Sequence, residues 1–275
     1  MKNALLIDLG GTNVRHAFFI NNALSKISKE KISDKEFIPF ITKLLKGAES
    51  KIEYLVVAAA GPNNHDFINL TNRNLLINSS ELEATLNLKK CLLLNDWEAV
   101  AFSLSEMEKK SFLSIKGNVP SNKNTLLIGP GTGLGVTLII DEQIIPTEFG
   151  NVLSATKSMM ESFGIERSEK FLSLENILSG PGIEMLYEEK FGKKLSSEKI
   201  ITLALEKNED ALFIVNNFLK TLITIIDDLV LSFTCKRVIL GGAILNSLKS
   251  ILTSEKILNY FSSRINPKYS QLIEE

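Results

Sequence analysis

Cysteine is nearly missing from this 275-residue chain: Cys91 and Cys235 lie far apart, each flanked by strand-like apolar sequence. No C-x-x-C and no Cys/His ligand spacing occurs, so neither a disulfide framework nor a structural zinc site is readable, and both thiols are expected buried and reduced. Histidine is as scarce. His16 and His65 have no plausible Ser or Cys partner and read as structural or surface residues. No sign of charge prevails, with 31 Lys plus Arg against 32 Asp plus Glu and a formal net charge of -1. No global field then draws nucleic acid or anionic lipid, and a small molecule is the expected partner. Long hydrophobic runs are absent too. The most apolar stretch, Ala211 to Phe233, carries Asn216, Asn217, Lys220, Asp227 and Asp228. A membrane span needs about 20 mostly apolar residues, so this stretch is expected to be a buried core helix. Met1 to Leu5 runs straight into a strand without signal-peptide architecture, and the expectation is a soluble, cytoplasmic protein.

What is present is an ordinary globular composition, 44% apolar and 23% charged, on a chain comfortable for two domains. Ala4 to Leu9 reads as a buried strand, Gly10-Gly11-Thr12-Asn13 as a turn, and Val14 to Ile20 as a strand pairing back antiparallel. Lys35 to Lys46 has helical apolar spacing. Tyr54 to Ala60 and Leu92 to Leu94 read as strands, the latter ending at Asn95-Asp96 before a helix from about Glu98. The polar stretch Lys116 to Asn124 looks like a loop near a domain boundary. The pattern then restarts: Thr125 to Ile128, a glycine run over Gly129 to Gly135, and Val136 to Ile140. Beyond residue 155 the chain reads as mostly helical, with a helical pattern from Ile183 after Ser179-Gly180-Pro181-Gly182 and a short strand, Val238 to Leu240, ending in Gly241-Gly242. Two units of strand, glycine turn and strand predict a duplicated α/β fold with a cleft between its halves.

Backbone N–H groups on tight glycine turns hold phosphates well, because glycine permits both the dihedrals and the close approach. Gly10-Gly11-Thr12, Gly129 to Gly135 and Gly241-Gly242 each follow an apolar strand. Any one of them is weak evidence, since a hairpin glycine is usually only that. No G-x-x-x-x-G-K-[ST] occurs, which excludes a P-loop, and the glycines of Gly129 to Gly135 do not match G-x-G-x-x-G.

The ordered combination is specific. Asp8-Leu9-Gly10-Gly11-Thr12-Asn13, Leu94-Asn95-Asp96, Gly129 to Gly135, Glu175 to Gly182 and Val238 to Gly242 together resemble the bacterial glucokinase family, from the first strand to about residue 250. The resemblance implies an α/β, two-domain actin-like ATPase (ribonuclease H-like) fold, with a smaller domain over 1–105 and a larger one over 106–275. It implies ATP-dependent phosphorylation of glucose to glucose 6-phosphate with ATP and Mg2+, and it allows a homodimer.

By position, Gly10, Gly11, Thr12 and Asn13 on one side and Gly131, Thr132 and Gly133 on the other would hold the ATP phosphates, with Gly241 and Gly242 near the adenosine. Asp8 would hold magnesium through water. Asp96 would be the general base and Asn95 a sugar contact, although Asn-Asp is also a favoured helix N-cap. Thr147 to Val152 is similar to the family's T-E-G-G-H-V: Glu148 matches, Phe149 replaces a Gly, and Asn151 replaces the sugar-contacting His. Glu175 matches a second sugar-binding carboxylate. Thr71-Asn72-Arg73 resembles the start of T-N-[HR]-x-W, though no Trp follows.

The family's returning C-terminal strand and glycine-rich helix are not visible before Glu275, and their loss would bare apolar surface on the smaller domain. Phe149 and Asn151 motivate an alternative, a kinase for another hexose or an amino sugar. The C-terminal departure motivates a further one, a catalytically impaired sugar-binding or regulatory homologue.

Overall fold

The computed structural model describes residues 3–10, 13–64, 66–70, 73–115, 117, 124–153, 156–166 and 169–263. The chain divides into two compact units, Met1–Ser105 and Glu106–Glu275.

In the first unit, β1 (Ala4–Leu9) alternates: Leu5, Ile7 and Leu9 enter the core while Ala4, Leu6 and Asp8 face the other way. β2 (Val14–Ile20) pairs with it antiparallel, and β3 (Ala23–Leu24) and β4 (Ser28–Glu30) extend that side. The helix expected from Lys35 starts later. Asp34–Glu36 forms a 3-10 turn capped by Ser33, and α1 (Phe37–Lys46) buries Phe37, Phe40 and Ile41. β5 (Tyr54–Ala59) lies parallel to β1. A hairpin, β6 (Phe67–Asn69) and β7 (Leu76–Asn78), and α2 (Ser79–Leu86) were not legible in the sequence. β8 (Lys90–Asn95) lies parallel to β5 and completes the order β3-β2-β1-β5-β8. Leu92 on β8 remains 48% exposed. α3 (Asp96–Ser103) starts at Asp96 rather than Glu98, because Asn95 caps it. Register aligns Leu9, Ala59 and Asn95, so β1, β5 and β8 end side by side.

The second unit repeats the opening. β9 (Thr125–Pro130), buried throughout, turns into antiparallel β10 (Leu134–Ile140), followed by β11 (Gln143–Pro146). β10 begins at Leu134 rather than Val136, since Leu134 pairs with Pro130 to close the hairpin. Then come α4 (Thr156–Ser162), α5 (Gly180–Phe191), α6 (Ser197–Leu205) and α7 (Glu209–Phe233). α5 opens at Gly180, ahead of Ile183, because the Ser179 hydroxyl accepts from the Gly182 N–H at 3.0 Å and Pro181 suits a first turn. α7 buries Ile214, Phe218, Leu222 and Ile226 against the core, as its helical spacing requires. β12 (Arg237–Leu240) returns parallel to β9, and α8 (Ala243–Ser247), α9 (Lys249–Leu252) and α10 (Glu255–Ser263) follow. Among the described residues no helix is long and apolar enough to cross a membrane.

Cys91 and Cys235 are buried and unpaired; burial pushes their thiols up to about 12 and about 11 respectively. His16 is 8% exposed, edge-on to Phe40 and 3.0 Å from a Glu30 oxygen, a structural setting. His65 lies outside the described residues, as does most of the polar stretch from Lys116 to Asn124.

Candidate active site

The first unit gathers its candidates at the ends of parallel strands, where open α/β sheets bind ligands. Asp8 sits one residue before the end of β1, and its Oδ2 accepts from Arg15 Nη1 at 2.7 Å. Asn95 ends β8 and Asp96 opens α3. The Trp97 N–H donates to Asn95 Oδ1 at 2.8 Å and to Asp96 Oδ1 at 2.9 Å. Burial raises the Asp96 carboxyl above the ordinary carboxylate range; the Trp97 N–H opposes this and the charge of Asp8 adds to it. A carboxyl with raised proton affinity, whose ionised form is still favoured by backbone N–H groups, is the result.

The turn after β1 is held at both ends. The Gly10 N–H donates to the Asn13 carbonyl at 2.9 Å, and Arg73 Nε donates to the Gly10 carbonyl at 3.1 Å. Arg73, 5% exposed, also donates through Nη1 to the Ile32 carbonyl at 3.1 Å. Gly11, Thr12, Thr71 and Asn72 lie outside the described residues. Arg73 entered the sequence reading only as part of a motif. Its grip on the glycine turn spans 63 positions and leaves no local signal.

The second unit brings its glycine motifs together. The Gly131 N–H donates to the Gly133 carbonyl at 2.8 Å, with Thr132 exposed at the tip, and the Gly180 N–H donates to the Gly131 carbonyl at 2.8 Å. Gly241 N–H reaches the Ile128 carbonyl at 3.0 Å. Gly242, at φ +96°, passes so close that a Cβ there would stand 2.8 Å from the Pro130 carbonyl oxygen. Glu175 Oε2 lies over Gly133, 2.7 Å from where its Cβ would be. Glu148 and Asn151 flank a 3-10 turn, where Asn151 Nδ2 donates to Glu148 Oε2 at 3.2 Å. The Leu174 N–H, donating to the Val152 carbonyl at 3.1 Å, joins that turn to the one carrying Glu175. Phe149 packs against the core of the unit, which accommodates the ring where the family motif has a glycine.

Magnesium takes one or two carboxylates and completes its shell with water and phosphate. Among the described residues no group of three or more His, Cys, Asp and Glu gathers as a metal site. Asp8, a partly exposed carboxylate at a strand end that also pairs with Arg15, has the donor chemistry to hold such an ion through water.

A family model described as Glucokinase matches residues 5–274. The chain belongs to the glucokinase family. Family relatives include a glucokinase of Helicobacter pylori strain J99, 29% identical over 215 residues, and one of Photorhabdus laumondii, 32% identical over 197 residues. These matches cover 73% and 67% of this chain but 64% and 61% of the relatives, so the chain spans less than two thirds of their length. Among solved structures, glucokinase from an Antarctic psychrotroph aligns at a TM-score of 0.80 with 25% identity, covering 98% of this chain and 91% of that one. A ROK hexokinase from Thermus thermophilus aligns at 0.73 with 18% identity, covering 99% and 90%, which speaks to the fold alone. The fold is the α/β, two-domain actin-like ATPase fold of these family neighbours.

Proposed function

We propose that the chain transfers the γ-phosphoryl group of ATP to a hexose hydroxyl, glucose being the expected acceptor, with Asp96 as general base. The observation that carries this reading is the Asp96 carboxyl: half-buried, raised in proton affinity, and set just past the end of β8 on the sheet that carries Asp8. Family membership supports it. In this reading Asp96 takes the proton of the attacking hydroxyl as the oxygen bonds to phosphorus, and ADP leaves with the bridging oxygen. Phosphoryl transfer depends mainly on positioning and charge stabilisation, and proton removal contributes about 10²–10⁴ in rate. Asn95 orients the sugar while it caps α3, and Glu148, Asn151 and Glu175 contribute sugar contacts. Gly10, Gly11, Thr12 and Asn13, with Gly131, Thr132 and Gly133, receive the phosphates, and Gly241 and Gly242 lie near the adenosine. Magnesium bound with the nucleotide supplies neutralisation of phosphate charge, and Asp8 would hold it through water.

A second reading, a different hexose or an amino sugar, is favoured by one contact. Asn151 donates to Glu148, so both polar partners at this motif are already tied to each other.

A coupled ADP-release assay with Mg-ATP and a panel of hexoses tests both. Glucose-dependent turnover that falls about 10²–10⁴-fold in Asp96→Asn is the expected result. Turnover on another sugar alone selects the second reading, and folded protein silent on every sugar overturns both.

A further inference from the structure

Glu98 is a carboxyl side chain only 8% exposed, on the buried side of α3, and the chemistry just described does not use it. Glutamate is almost never fully buried without partners, and Glu98 has two specific ones. Its Oε2 accepts from the Asn95 N–H at 3.1 Å and from Asn63 Nδ2 at 3.3 Å. The same Asn63 amide donates to the Leu93 carbonyl at 2.9 Å, and Asn95 Nδ2 donates to the Gly61 carbonyl at 3.4 Å. The loop after β5 is thereby tied to the end of β8 and to the first turn of α3 through one carboxyl oxygen.

A capping-box glutamate normally satisfies only the N-cap N–H at a solvated helix end. Here a second donor, the half-buried Asn63, arrives from 35 residues away, and Glu98 and Asn95 themselves are buried. An apolar side chain of similar volume could pack α3 on the sheet equally well. It could not fix the corner Asn95-Asp96-Trp97, which is defined by hydrogen bonds.

We propose that Glu98 and Asn63 are positioning residues: a latch built on the buried Glu98 carboxyl that holds the β8–α3 corner so that the Asp96 carboxyl keeps its orientation toward the attacking hydroxyl. This rests on the reading of Asp96 as general base. Neither latch residue touches a reactant, so its loss acts on the chemical step rather than on nucleotide affinity. Misplacement of a catalytic group by about 1 Å lowers rate by about 10².

The test compares Glu98→Met, Glu98→Gln and Asn63→Ala by steady-state kinetics. Glu98→Met keeps volume and removes the acceptor, so kcat falls about 10²-fold while KM for ATP stays at its wild-type value. Glu98→Gln retains an acceptor oxygen and restores most of kcat. Asn63→Ala falls between them, and it decides the matter if Glu98→Met does not fold. Undiminished kcat in Glu98→Met, a Gln variant no better than Met, or a rise in KM for ATP alone overturns the latch. Backbone hydrogen exchange at Asn95 and Trp97 separates this inference from the kinase reading. If the wild type turns over no sugar, that reading falls, and faster exchange in Glu98→Met than in Glu98→Gln still supports the latch. Equal exchange in the two variants refutes it.

Discussion

β1 and β9 open their units with the same construction. Each turns into an antiparallel partner, and each carries a parallel strand on its other side, β5 or β12. Their surroundings differ. β9 is buried at every position, whereas β1 alternates between core and a partly open face that includes Asp8. The turn after β9 is packed by backbone from Gly180 and Gly242 and by the Glu175 carboxyl, while the turn after β1 is braced by one buried guanidinium, Arg73. The same hairpin therefore serves as rigid scaffold in the second unit and as a platform for ionisable groups in the first. Desolvating a carboxylate is costly, so the unit that carries the proposed base trades stability for reactivity.

The largest effect expected to sharpen this contrast concerns Asp96. As a base it must be ionised, so kcat/KM falls as pH drops through its raised pKa, and the acidic limb lies above the ordinary aspartate value of about 3.9. Stability runs the opposite way. The folded-state pKa exceeds the unfolded one, so ionisation penalises the fold fully above the folded pKa, and the penalty is relieved as pH falls toward the unfolded value. Asp96→Asn is therefore expected to abolish most turnover and to raise the thermal midpoint at neutral pH. A lowered midpoint there would break the comparison.

Next come the glycines. Gly242→Ala in the second unit forces a side chain into a left-handed conformation against the Pro130 carbonyl, and Gly61→Ala in the first forces one, at φ +153°, against the Asn69 carbonyl. Each is expected to cost about 1–3 kcal/mol in urea denaturation. Gly133→Ala meets only the movable end of Glu175, so stability holds while KM for the sugar rises. The smallest effects belong to exposed ion pairs. Lys89–Glu53 in one unit and Lys170–Glu189 in the other both measure 2.8 Å. Glu53→Gln and Glu189→Gln are expected to leave thermal midpoints within error, because water and salt screen such pairs.

The β1–β2 and β9–β10 hairpins were legible because alternation and glycine punctuation act locally, as was α7 through its apolar stripe. α2 was not: it buries only Ser79 and Leu82, too little to print a helical stripe. β6 and β7 are three residues each and equally silent. At the candidate site, the placement of Asp8 and Asn95-Asp96 at strand ends followed from sequence pattern. Asn95-Asp96 was legible as an N-cap, but the helix was expected only from about Glu98, so the part Glu98 plays in the capping box was missed. The partnership of Glu98 with Asn63, of Gly10 with Arg73 and of Gly133 with Glu175 was not legible, because each joins residues dozens of positions apart.

Each unit holds one buried cysteine, Cys91 on β8 and Cys235 after α7. With thiols pushed up to about 12 and about 11, neither reacts at an appreciable rate until its surroundings open. The chain thus carries a pair of internal reporters: alkylation followed by peptide mass mapping reads the opening of each unit on its own channel, with no residue introduced.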